Sequence, residues 1–271
     1  MPDSSLLIWR ERIMAVHDGN ADKVVLITGG ASGIGFGTVE YLLEQGGYIP
    51  VSFSRGEAHI NAAKEKLGAK ADRVLFLKGD ISSEDDCARL FEEIERRYGH
   101  LDGLVNCAGI IKLGGIEEQS LAEWKKALDV NLTGMFLMTK TMLPLLKKGK
   151  NASVVNLSSM AADRVGGSIA YSAAKAGVEA FTKYAAKELG KYNIRVNCVA
   201  PAAVYTDIYI TSGDYTQEGY DKWSEEKAVL YPLGRIGYPK KDLAPTIEFL
   251  LSDKCTWTTG GRFLVDGGIS I

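Results

Sequence analysis

The sequence predicts an α/β protein: a doubly wound parallel sheet of about seven strands with helices on both faces. Three observations predict it. Short β-branched runs alternate with longer stretches of helical spacing, the pattern of βαβ units. The first run, KVVLIT, reads as a buried strand. No linker, repeat or low-complexity tract interrupts the alternation over 271 residues, a length that suits one large domain. Right-handed crossovers then wind the sheet in both directions.

The elements follow in order. Lys23–Thr28 is the first strand and Gly33–Gln45 the first helix. Residues 48–53 form the second strand and Glu57–Leu67 the second helix. A strand over 74–77 precedes a helix over Glu84–Tyr98. Residues 104–106 make the fourth strand, followed by a long helix over 121–146 that Pro144 should bend or end. The fifth strand covers 152–157, a helix rich in alanine and lysine 171–189, and the sixth strand 195–199. A last helix over 239–251 starts on proline, and Arg262–Val265 is the final strand. Residues 205–230 break the rhythm. They hold Tyr205, Tyr209, Tyr215, Tyr220 and Trp223 at the sheet's carboxyl edge, the place for a substrate lid. These rings either line a pocket or pack the lid itself. The domain is read as 23–271. Residues 1–22 mix Leu6, Leu7, Ile8, Trp9 and Ile13 with Arg10, Glu11 and Arg12. They read as an amphipathic arm packed on the domain or a neighbour, or as a disordered tail; the charges interrupt any signal-peptide core.

Composition excludes several function classes. The net charge is -2, which argues against a nucleic-acid partner. No apolar run approaches the roughly 18 residues of a membrane span. Cys87, Cys107, Cys198 and Cys255 lie far apart, without a C-x-x-C pair for a zinc ribbon or redox dithiol. Free thiols fit a reducing, cytoplasmic compartment.

After the first strand comes Thr28-Gly29-Gly30-Ala31-Ser32-Gly33-Ile34-Gly35. A glycine-rich turn at a strand-to-helix junction lets backbone N–H groups approach a diphosphate at the positive end of a helix. The spacing is T-G-x-x-x-G-x-G; G-x-G-x-x-G does not fit, because position 38 is threonine. The second strand runs into Ser54 and Arg55 without the carboxylate that would hold the 2′-hydroxyl of NAD. Arg55 suits a 2′-phosphate, so NADP is favoured over NAD. Asp80, after the third strand, either accepts from an adenine amino group or caps the helix beginning near Ser83.

Tyr171 and Lys175 lie four residues apart and share a helix face. An ammonium near a phenol lowers the phenol's pKa from about 10, and such a phenol can exchange a proton with a hydroxyl or carbonyl. The pair means little alone. Combined in order with the 28–35 turn, Asn106-Cys107-Ala108-Gly109, Asn131, the serines after strand five, Val196-Asn197-Cys198-Val199-Ala200-Pro201 and Val265-Asp266-Gly267-Gly268, it closely resembles the short-chain dehydrogenase/reductase family from about residue 22 onward.

That resemblance implies a Rossmann-type fold and hydride transfer between NADP or NAD and an alcohol or ketone. It implies Tyr171 as general acid/base, Lys175 on the nicotinamide ribose, Asn131 holding a relay water, and a serine on the reacting oxygen. Cofactor contacts are implied for Gly29, Ser32, Gly33, Ile34, Gly35, Ser54, Arg55, Asp80, Ile81, Asn106, Ala108, Gly109, Tyr171, Lys175, Pro201, Val204 and Thr206. It implies no metal, and a homo-oligomer, dimer or tetramer. Two departures stand out. Counting from Asn156 selects Ser159 as the catalytic serine; counting back from Tyr171 selects Ser158. Loops absorb a lost residue more easily than strands shift register, which favours Ser159. The usual Pro-Gly after strand six is Pro201-Ala202 here, so the contacts at 202–206 are less secure. The substrate stays open. Arg164, beside Asp163, either meets a polar or anionic substrate or faces solvent. The alternatives are a 3-oxoacyl carrier-protein reductase and a catalytically silent NAD(P)-binding regulator.

Overall fold

The computed structural model describes residues 22–271, so the 1–22 arm lies, but for Asp22, outside the described residues. Seven strands form one sheet in the order β3-β2-β1-β4-β5-β6-β7, every neighbouring pair parallel. They are β1 (Lys23–Thr28), β2 (Tyr48–Ser54), β3 (Leu75–Lys78), β4 (Gly103–Asn106), β5 (Ser153–Leu157), β6 (Arg195–Pro201) and β7 (Arg262–Val265). The helices are α1 (Gly33–Gln45), α2 (Glu57–Leu67), α3 (Glu84–Tyr98), α4 (Leu121–Leu128), α5 (Gly134–Leu146), α6 (Ile169–Leu189), α7 (Ile208–Thr211), α8 (Gln217–Ala228) and α9 (Ala244–Leu251).

Alternate residues of each central strand enter opposite cores, because successive side chains point to opposite faces. Val24, Leu26, Leu104, Val154 and Val196 pack with Leu90, Ile94, Met138 and Met142 of α3 and α5. Val25, Ile27, Val105, Val155 and Val199 pack with Val39, Leu42, Ile247 and Leu250 of α1 and α9. Each of these fully buried aliphatic side chains contributes about 2 kcal/mol. Register then sets the site. Thr28 lies opposite Asn106, Asn106 opposite Asn156, and Asn156 opposite Cys198. The carboxyl ends of β1, β4, β5 and β6 thus form one edge. The strand order reverses direction between β1 and β4, which opens a crevice there.

β6 runs two residues beyond expectation, to Pro201, and β2 to β5 shift by one residue at one or both ends; three helices also differ. The helix expected over 121–146 is broken by a π turn at Asp129–Thr133, where Gly134 N–H reaches back to the Asp129 carbonyl. Pro144 sits in its last turn, and the helix ends at Leu146. The helix expected from 171 starts two residues earlier, because Ser168 caps it by accepting from the Tyr171 N–H at 3.2 Å. The last helix likewise opens on a π turn, Pro239–Leu243. The 205–230 excursion contains α7 and α8.

Candidate active site

The glycine turn is held from both sides. Ser54 Oγ accepts from the Ala31 N–H at 3.1 Å. Thr28 Oγ1 accepts from the N–H groups of Cys107 and Ala108 at 3.0 and 3.1 Å, clamping the β4 loop beside the turn. Gly29 and Gly33 take φ of +68° and +51°, conformations that favour glycine. A Cβ at Gly35 would lie 2.3 Å from the Gly29 carbonyl oxygen, so nothing larger fits beneath the turn. Ser32, just before α1, makes no side-chain cap and the first turn holds no acid, which leaves the helix's N–H groups and positive end to the crevice.

That crevice is a groove of about 330 Å³. Gly29, Ser32, Gly33, Ile34, Ser54, Arg55, Asp80, Ile81, Ala108, Gly109 and Thr206 all line it. The donor set, a glycine-lined helix N-terminus at one end of a long cleft, fits a dinucleotide diphosphate. Gly35 and Asn106 stand behind the wall. Asn106 is buried in a polar ladder: its amide donates to Thr139 Oγ1 at 3.0 Å and Asn156 Oδ1 at 2.9 Å, and Asn156 donates to Thr182 Oγ1 at 2.9 Å. Capping of α3 falls to Ser83, which accepts from the Asp86 N–H, and not to Asp80. Asp80 accepts from Ser82 and faces Arg55 at 3.4 Å. Partial burial pushes its carboxyl up, but Ser82 and the Arg55 charge outweigh that and hold it below the usual carboxylate range.

A second cavity, about 410 Å³, adjoins the groove across Ile34, Thr206 and Ile208. Ser159, Tyr171, Pro201 and Val204 line it. Ser159 faces Tyr171 across the cavity wall, and its hydroxyl favours the phenolate. Ser158, by contrast, is buried and turned away, donating its proton to Glu179 Oε1 at 2.8 Å with the Lys175 carbonyl 3.3 Å from its Oγ. Lys175 is buried, with Nζ 5.4 Å from the Tyr171 ring centroid and donating to the Leu157 carbonyl at 2.7 Å. Asn131 sits in the π turn. Its amide donates to the carbonyls of Ile110 and Ala127, both at 2.9 Å, and its Oδ1 accepts from the Ile110 N–H at 3.2 Å.

The electrostatics reverse one expectation. The Tyr171 phenol is not lowered by Lys175. Burial pushes it above its ordinary value, Tyr209 adds to the rise, and the Ser159 hydroxyl opposes it. Burial also pushes Lys175 down to about 8 and Cys107 up to about 12. Both members of the pair lose more by desolvation than they gain from each other.

Residues 205–230 do both things expected of them. Tyr220 is fully buried and stacks on Trp223 at 5.5 Å, while Tyr209, Tyr215 and Trp223 face the second cavity. Asp163 pairs with Arg262 at 3.0 Å, and Arg164 donates to the Ser270 carbonyl while lining the cavity. Sequence reasoning missed Ile111, Leu113, Met160, Lys227, Tyr231 and Ile269 on the cavity wall. Except for Lys227, in the last turn of α8, they come from loops, a short turn and the residues after β7, where no periodic signal marks them.

The family profile described as enoyl-(acyl carrier protein) reductase matches residues 29–270. A relative from Chlamydia muridarum, 3-oxoacyl-(acyl-carrier-protein) reductase FabG, is 32% identical over 250 residues, covering 92% of this chain and 98% of that protein. Trans-4-hydroxycyclohexanecarboxylate dehydrogenase of Sinomonas cyclohexanicum is 34% identical, covering 93% and 95%. A solved short-chain dehydrogenase/reductase of the glucose/ribitol dehydrogenase type from Brucella melitensis superposes with a TM-score of 0.82 at 30% identity, covering 94% and 100%. With the fold, the glycine turn and the Tyr171–Lys175 helix in place, these likenesses establish that the chain belongs to the short-chain dehydrogenase/reductase family of oxidoreductases acting on CH–OH and C=O groups.

Proposed function

We propose that the chain is a carbonyl reductase or secondary-alcohol dehydrogenase that prefers NADP, with Tyr171, Ser159, Lys175 and Asn131 as its catalytic set. The observation that carries the reading is the convergence of Tyr171 and its partner Ser159 on the cavity that adjoins the glycine-lined groove. The bound nicotinamide supplies the hydride. Gly29, Ser32, Gly33 and Ile34 hold its diphosphate at the α1 N-terminus, and Gly109 and Ala108 line its path. Ser159 donates to the carbonyl oxygen and aligns it. Tyr171 gives that oxygen a proton. The phenol is protonated at neutral pH, as a general acid requires, although burial makes it a weaker acid than a free phenol. Lys175, a cation at neutral pH with Nζ 5.4 Å from the Tyr171 ring centroid, is the residue that would hold the nicotinamide ribose. Asn131 spends both amide protons on backbone carbonyls, so a relay water would attach through the free lone pair of Oδ1.

The cofactor preference is supported by Arg55 and His59 on the groove wall and by the absence of a carboxylate at the end of β2. Residues 205–230 act as the lid of a single dehydrogenase domain. Exposed Phe136 and Tyr184 on α5 and α6 support a homodimer or homotetramer, and four free thiols support a cytoplasmic setting. Among the described residues, no helix is long and apolar enough to cross a membrane. The names of the chlamydial and related proteins favour a second reading, reduction of a 3-oxoacyl thioester on a carrier protein. A panel of small ketones, secondary alcohols and acetoacetyl thioesters, followed at the nicotinamide absorbance with both cofactors, tests the proposal. Turnover of free ketones with NADPH supports it. Turnover restricted to carrier-bound thioesters selects the second reading, and no turnover of any class refutes both.

A further inference from the structure

We infer that the substrate is an oxo or hydroxy acid: an apolar body with the reacting carbonyl at one end and a carboxylate at the other. The inference rests on the reading of the second cavity as the substrate site. The body follows from the wall. Tyr209, Tyr215 and Trp223 form a cluster with ring centroids 5.7 to 6.0 Å apart, and Ile111, Leu113 and Tyr231 also line the cavity. Such a lining favours an apolar ring or chain over a polyol.

The carboxylate follows from the charge. Arg164 and Lys227 are the two charged side chains among the described residues of this wall, and no aspartate or glutamate joins them. Nearby cations are neutralised. Lys112 pairs with Asp214 at 2.5 Å, Arg235 with Asp242 at 2.6 Å, and Arg262 with Glu179 at 2.7 Å. Neither Arg164 nor Lys227 forms an ion pair among the described residues. The guanidinium of Arg164 donates to the Ser270 carbonyl, which anchors it and leaves further N–H donors for a ligand. The two cations come from separate segments, the loop before α6 and the last turn of α8. Both are exposed, whereas Ser159 and Tyr171 are half-buried, so the charge sits at the mouth and the chemistry deeper in. An anion held at the mouth keeps part of its hydration and avoids the heavy penalty of full burial.

The test uses the complete chain with saturating cofactor and two isosteric probes, 4-oxocyclohexanecarboxylate and its primary amide. Calorimetry reads binding, and nicotinamide absorbance reads turnover. The acid should bind and turn over about tenfold or more better than the amide, as charge-assisted hydrogen bonds predict. That ratio should fall close to one in the Arg164→Gln/Lys227→Gln double variant and persist in Arg164→Lys. Lys227→Gln alone, at an exposed position with no ion pair among the described residues, should lower it partway. Equal binding of acid and amide, binding of neither, or a preference that survives the double variant overturns the inference. Preferential binding of the acid without reduction under either cofactor leaves the anion site standing and counts instead against the catalytic reading.

Discussion

Removing one hydroxyl at a time from Ser158 and Ser159 separates fold from chemistry. Ser158 donates to Glu179, which also takes a hydrogen bond from Arg262 at 2.7 Å. Ser158→Ala therefore leaves the carboxylate with a partner, and its cost lies near the lower end for a buried hydrogen bond to a charged group, about 1 to 2 kcal/mol. For a chain of this length, that lowers Tm by roughly 3 °C. Its kcat should stay within about twofold, because no atom of Ser158 faces the cavity. Ser159→Ala should do the reverse. Ser159 Oγ accepts from the Ala161 N–H in a short surface turn, so stability changes little. Loss of the hydrogen bond that aligns the reacting oxygen should lower kcat about 100-fold, or about 2.7 kcal/mol. Melting curves and steady-state rates on both variants decide it. A large kcat loss in Ser158→Ala with none in Ser159→Ala refutes the assignment.

Three further outcomes follow from the geometry. Gly35→Ala drives a methyl against the Gly29 carbonyl, so cofactor affinity should fall at least about tenfold, or the fold should lose about 2 kcal/mol; titration of cofactor fluorescence and denaturant melts read the two. Arg55→Gln should lower the NADP-over-NAD preference about tenfold, by removing one charge-assisted contact to a 2′-phosphate; the ratio of kcat/KM values checks it. Burial holds Lys175 at about 8 against its ordinary 10.5. The unfolded chain then binds one more proton between these values, so this residue's contribution to stability rises with pH from about 8 to 10.5 and is lowest below 8. Lys175→Met should relieve up to about 3 kcal/mol at pH 7, an advantage that shrinks toward pH 10 in urea melts.

Much of the fold was legible because the signals are local. KVVLIT is apolar and β-branched and forms β1 with the expected bounds. The glycine turn carries its own steric logic, since Gly29 and Gly33 need φ values that other residues avoid. The π turn at Asn131 was invisible, because one inserted residue hardly disturbs a 3.6-residue pattern while it rotates all that follows. The two serines could not be told apart by counting. Their difference lies in α6, where Glu179 captures Ser158 from 21 residues away. The acidity of Tyr171 was misjudged for a related reason. Spacing places a lysine on its face, but the burial that raises the phenol, with Tyr209 adding to it, is a property of the packed site, which helical periodicity does not report. The second cavity draws on six separate segments, so its lining is a property of the assembled fold.

In the proposed mechanism the Tyr171 hydroxyl carries the proton in a hydride transfer at the joined cavities. Tyr171→Phe keeps the ring and removes that one atom. Turnover of the best ketone should fall by at least about a hundredfold, while the NADPH dissociation constant, measured by fluorescence on the same preparation, stays within about threefold. Turnover that survives the substitution intact would mean that another group supplies the proton.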